Sequence, residues 1–154
     1  MATPGTPAAP RAQRASPARS ARDVFDEERA LKHTGSDRAL LQEMIALFRA
    51  DLPSYLDRIR DAIHSQNGEA LRMAAHGLKG ALATLGSERG RRLANDLEQL
   101  GASGTFEGAA TKERRLRDHL TLLDKAFMTA GLIEPANSGT PRTARSPAPK
   151  RGRR

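Results

Sequence analysis

Apolar residues recur every three or four positions through the middle of the chain, with polar residues between them, which is the pattern of helices that each bury one stripe. The clearest run sets Leu71, Ala75, Leu78, Leu82 and Leu85 on one face. It predicts a helix from about Glu69 to Leu85, with Gly86 as its stop and Ser87 as the cap of the next. Upstream, Leu40, Leu41, Met44, Ile45, Phe48, Leu52, Tyr55, Leu56, Ile59 and Ile63 hold helical spacing from a cap at Ser36 to the break at Asn67-Gly68. Pro53 should loosen that long helix, because it has no amide to donate to the preceding turn. Downstream, Leu93, Leu97 and Leu100 mark a helix from about Glu88 to Leu100, and Leu116, Leu120, Leu123 and Phe127 mark another from about Phe106 to Thr129. A short helix capped by Asp26 and ending near Leu31 precedes them all. Strand alternation and internal repeats are lacking. Short connections between amphipathic helices favour antiparallel neighbours, so the expected fold is all-α: an antiparallel four-helix bundle with a short extra N-terminal helix.

One helix spoils its own outer face. Stepping about 100° per residue from the stripe through Leu78 puts His76 and Gly80 opposite the core, flanked by Arg72, Lys79 and Ala83. Gly77 and Gly80 together cost the helix about 2 kcal/mol against alanine. Helical side chains lean toward the N-terminus, so a side chain at position 80 would cover the ring at position 76, and glycine leaves it uncovered. Lys79 leans the same way, and its stem can carry an ammonium toward a group held on the imidazole. A neutral imidazole offers a ring nitrogen as a nucleophile without a separate base, so the pattern is an uncovered nucleophile with a cation beside it.

The run Ala75-His76-Gly77-Leu78-Lys79-Gly80-Ala81, closed by Gly86, resembles the phosphorylation motif of histidine-containing phosphotransfer (HPt) domains. The segments Val24-Phe25-Asp26 and Leu40 to Phe48, with Pro53 following, are similar to the approach to that motif. The resemblance spans roughly residues 23–130. It implies that His76 is phosphorylated, at Nε2, between an aspartyl phosphate on one response-regulator receiver domain and the aspartate of another, with a hybrid histidine kinase upstream. It further implies that Lys79 steadies the phosphoryl oxygens and that Gly80 gives the receiver room. Arg72, Gly77 and Ala83 are the other candidate partner contacts. An acceptor at Nδ1 of His76 would hold the useful tautomer, and Glu98 and Gln99 on the next helix are the candidates for it, the rotation of that helix being open in the sequence. Magnesium would arrive with the receiver, since no carboxylate cluster here forms a metal cage and no cofactor of the chain's own is expected.

Charge changes this picture only at the ends. The net charge is +8, yet all 18 acidic residues fall between Asp23 and Glu134. Ten of the 26 cations lie outside that span, so the centre holds 16 basic against 18 acidic residues. Residues 1–22 and 131–154 are expected to be disordered basic tails, rich in Ala, Pro, Ser and Arg, around a domain at 23–130. Weak, salt-sensitive contact with nucleic acid through those tails is a minor reading, and they lack the aromatic residues that stack on single strands.

No cysteine is present, which removes disulfides and thiolate metal sites, and the absence of a long apolar run argues against a membrane span. A cytoplasmic, monomeric carrier is therefore expected, inert with ATP alone because no glycine-rich nucleotide loop is present. A receiver-docking module or phosphate sink is the alternative. His33, His64 and His119 show no metal-ligand spacing and are assigned structural or solvated roles, as Arg89, Arg91 and Arg92 are assigned to a solvated helix face.

Overall fold

Each apolar stripe closes on the stripe of its neighbour. The computed structural model describes residues 17–134, with side chains from Ala21 onward, and the expectation of disorder at 1–16 and 135–154 lies outside them. Six helices follow in order: α1 (Pro17–Val24), α2 (Glu27–His33), α3 (Arg38–His64), α4 (Gly68–Thr84), α5 (Glu88–Ser103) and α6 (Ala109–Thr129). No strand occurs among the described residues. Helices α3 to α6 form the antiparallel bundle, α4 lying between α3 and α5 while α6 closes the ring against both α5 and α3. Its core is built from Leu41, Ile45, Ile59, Leu71, Leu78, Leu82, Leu97, Leu116, Leu123 and Phe127, all at most 1% exposed. Each such side chain contributes about 1.5–3 kcal/mol by leaving water.

Packed structure continues beyond residues 23–130 at both ends. Residues 17–22, assigned to the tail, belong to α1, which packs on α5 and α6. Pro17 stands at the first helical position, where its missing amide costs nothing. Just beyond this helix Phe25 meets Phe127 edge-on, with ring centroids 5.0 Å apart, a contact worth about 0.5–1.5 kcal/mol beyond burial. At the other end, α6 ends at Thr129, Gly131 turns the chain with φ 66°, and the Leu132 amide donates to Phe127 O at 2.9 Å. This closure folds Leu132 into the core at 3% exposure.

Local signals also shift. Asp37 rather than Ser36 caps α3, its carboxylate accepting from the Leu40 amide at 3.1 Å, while Ser36 takes a left-handed φ of 68°. Helix α3 continues through the exposed Pro53. Ser87 occupies the N-cap position of α5 without capping it. Its hydroxyl is buried instead against Nε2 of His119 at 2.9 Å.

His119 is thus a core residue, 1% exposed. Burial, assisted by the positive charge of Arg89, pushes its pKa down to about 4. A ring that is neutral when folded and protonated when unfolded adds stability that is complete above about pH 6.5 and is lost as pH falls toward 4. From pH 7 to pH 5 this group alone should remove about 2 kcal/mol, and His119→Gln should flatten that slope. Urea denaturation at the two pH values measures it; equal slopes for the two proteins would contradict the assignment.

Candidate functional site

The site is built where α4 and α5 approach most closely. A Cβ added at Gly101 would stand 2.5 Å from the Arg72 nitrogen and 2.6 Å from Gly68 O, and one at Gly68 would stand 2.7 Å from Gly101 O. These two glycines let the backbones nearly touch. The antiparallel register set there carries Glu98, one turn before Gly101 on α5, alongside His76 and Lys79 on α4.

His76 projects into solvent with its side chain 66% exposed. Its Nδ1 lies 2.9 Å from Glu98 Oε1. The ammonium of Lys79 pairs with the other oxygen, Oε2, of the same carboxylate. Glu98 is only 12% exposed and Lys79 25%, so both charges sit in a partly desolvated seam. Lys79 first, and the His76 ring second, hold the Glu98 carboxyl below the usual carboxylate range against the opposing effect of burial. An ionised carboxylate only accepts hydrogen bonds. In the neutral ring Nδ1 then carries the proton and Nε2 keeps its lone pair.

The glycines beside the ring differ in purpose. A Cβ at Gly80 would meet nothing within 4 Å, so this position is open space beside the imidazole. At Gly77 it would meet Cε1 of Tyr55 at 3.0 Å. The missing side chain of Gly77 makes room for Tyr55 where α3 packs against α4.

Other expected residues divide similarly. Arg72 is held by Glu69 through two hydrogen bonds of 3.0 and 2.7 Å. Ala83 is half-buried. Gln99 is exposed and forms no hydrogen bond to the ring, whose Nδ1 is taken by Glu98. Arg91 and Arg92 both pair with Glu88. Among the described residues no group of three or more His, Asp or Glu side chains is arranged to hold a metal, and no helix is long and apolar enough to cross a membrane.

Large apolar side chains are also exposed on α3 and α4. Met73, one turn before His76, is 62% exposed, and Leu47 is 66% exposed beside an open groove of ≈ 250 Å³ between α3 and α4. The signal for Leu47 was present in the sequence as an apolar position beside the α3 stripe, but periodicity alone assigns no role to a residue at a stripe's edge.

The family described as the Hpt domain matches residues 43–126, more than half of the chain, and the match contains His76, Lys79 and Glu98. The chain belongs to the Hpt domain family. Among solved structures, the HPt domain of a sensor hybrid histidine kinase from Shewanella superposes with a TM-score of 0.62 at 19% identity, covering 74% of this chain and 99% of that one. That likeness concerns the fold. None of the curated proteins compared matches the chain. Hpt domains carry phosphoryl groups on histidine in two-component signalling and are not kinases; they work with the kinase and receiver domains of those systems.

Proposed function

We propose that this Hpt domain is a phosphorelay intermediate that accepts a phosphoryl group on Nε2 of His76 from a receiver aspartate and passes it to another. The observation that carries this reading is the exposed imidazole whose other nitrogen is held by a carboxylate, which supports a nucleophilic Nε2 facing the approach of a partner. Phosphoryl transfer depends chiefly on position and charge. Lys79, on the same face and one turn along, has a charge to offer the phosphoryl oxygens if it leaves Glu98. Magnesium belongs to the receiver in this scheme, and Met73 and the groove by Leu47 provide apolar area for its docking.

Incubation with a panel of receivers bearing labelled aspartyl phosphate tests the relay. Acid-labile, base-stable label on the chain, chased onto a second receiver, is expected; no acceptance from any receiver counts against it. Label that is accepted but never passed on favours a phosphate sink.

Gly80→Leu separates access from folding. A Cβ at position 80 meets no atom within 4 Å, so the substitution clashes with nothing at its base, and leaving glycine should raise stability by about 0.8 kcal/mol. The same side chain leans over His76 and should slow transfer by about tenfold or more, equivalent to about 1.4 kcal/mol of lost docking. Denaturation and transfer kinetics on one preparation check both; unchanged transfer would remove Gly80 from the docking face.

A further inference from the structure

Glu98 divides its two oxygens between the imidazole and Lys79, and that division bears on the state of the ring once it is loaded. Resting on the carrier reading above, we propose that Glu98 keeps the Nδ1 proton on the phosphorylated ring, so that the carried species is a phospho-imidazolium whose charge the carboxylate balances, with Lys79 setting how firmly that proton is held. Glu98 is a positioning residue in this scheme, acting through the ring rather than on the phosphorus.

The bonds balance without any proton moving. The Nε2 lone pair attacks phosphorus, the N–P bond forms, and the P–O bond to the donor aspartate breaks with its electron pair leaving on the carboxylate. The ring, still protonated at Nδ1, takes up one positive charge opposite the negative charge of Glu98. On delivery the acceptor carboxylate attacks phosphorus, the N–P bond breaks, and its pair returns to Nε2 to regenerate neutral imidazole. A loaded ring that had lost its Nδ1 proton would have to depart as an imidazolate anion, a far poorer leaving group. With that proton kept, the ring leaves as a neutral imidazole.

The charges around the ring determine the sign of each perturbation. On α4, Lys79 pairs with the carboxylate, and Arg72, although bound to Glu69, also interacts with Glu98. From α5 comes Glu98 itself. Helix α3 contributes Tyr55 against Gly77, Arg58 with its guanidinium 5.7 Å from the centre of the Tyr55 ring, and Asp51 in the adjoining groove. Removing the carboxylate weakens the hold on the proton, whereas removing Lys79 both frees the carboxylate and deletes a repelling cation. The two variants should therefore move the loaded ring in opposite directions, which a merely structural disturbance would not do.

The test loads wild type, Glu98→Gln and Lys79→Met with phosphoramidate, a small donor that needs no receiver, and follows phosphohistidine hydrolysis against pH by phosphorus NMR. Relative to wild type, the pH midpoint of hydrolysis should fall by about one unit in Glu98→Gln and rise in Lys79→Met. Above both midpoints Glu98→Gln should hold its phosphoryl group about tenfold longer, in proportion to its smaller protonated fraction. Coincident midpoints, or shifts of the same sign, would overturn the inference while leaving the carrier reading intact. Failure of His76 to take up the group at all would overturn both.

Discussion

His76→Gln is expected to abolish phosphoryl acceptance, by at least about a thousandfold, while leaving the bundle folded. The lone pair of a glutamine amide is delocalised into its carbonyl, so the substitution removes the nucleophile itself rather than weakening it. Stability should change little, because two-thirds of the His76 side chain lies in solvent and, among the described residues, it hydrogen-bonds to Glu98 alone. A surface hydrogen bond of this kind is worth about 1 kcal/mol, and a glutamine NH2 is able to donate to the same carboxylate. Transfer assays and urea denaturation on the variant separate the two effects. Substantial transfer by a folded His76→Gln protein would place the phosphoryl group elsewhere.

Gly101→Ala should cost about 3 kcal/mol, although alanine is the better helix former by about 1 kcal/mol. The clash decides the sign. Its Cβ would lie 2.5 Å from the Arg72 nitrogen, 2.6 Å from Gly68 O and 2.9 Å from Arg72 Cα, all of them backbone atoms within α4 or at its start. No side chain can swing aside, so the helices must separate. Glu98 stands one turn away on the same helix, and any separation draws it from His76 and Lys79. Lower stability and a weakened Nδ1–Glu98 hydrogen bond, seen in the nitrogen chemical shifts of the ring, should therefore appear together. A stabilised protein would show that α5 shifts freely along α4, contrary to the packing described.

The contrast between these two positions shows how far the sequence reaches. The stripe from Leu71 to Leu85 is long and regular enough to orient α4, so the exposure of His76 and the open space at Gly80 follow from periodicity alone. For Gly77 the same reading offers only a candidate partner contact. Its neighbour in space is Tyr55, 22 residues upstream, whose ring lies against it. Glu98 and Gln99 were equally eligible for the same reason: adjacent residues lie about 100° apart on a helix, and the rotation of α5 is set by its close crossing with α4 at Gly68 and Gly101. Leu40 and Leu41 pose the same problem on α3, where the first is 42% exposed and the second fully buried.

Elsewhere, composition concealed structure. Helix α1 arises in an Ala-, Arg- and Ser-rich segment without an apolar stripe long enough to announce it, and Val24 at its end and Phe25 just after it supply the anchor. His119 beside an apolar stripe gave no sign that Ser87, 32 residues earlier, would bury a hydroxyl against its ring. Each of these features depends on a partner distant in sequence, which local propensity does not encode.

The central claim is that one solvated imidazole, held by Glu98 through Nδ1, carries the phosphoryl group on Nε2. Peptide mapping under mildly alkaline conditions, after exposure of the whole chain to a phosphorylated receiver, tests it directly. The account predicts the label on the peptide containing His76 and none on those containing His33, His64 or His119. Label at any of those three, with His76 unmodified, would contradict it.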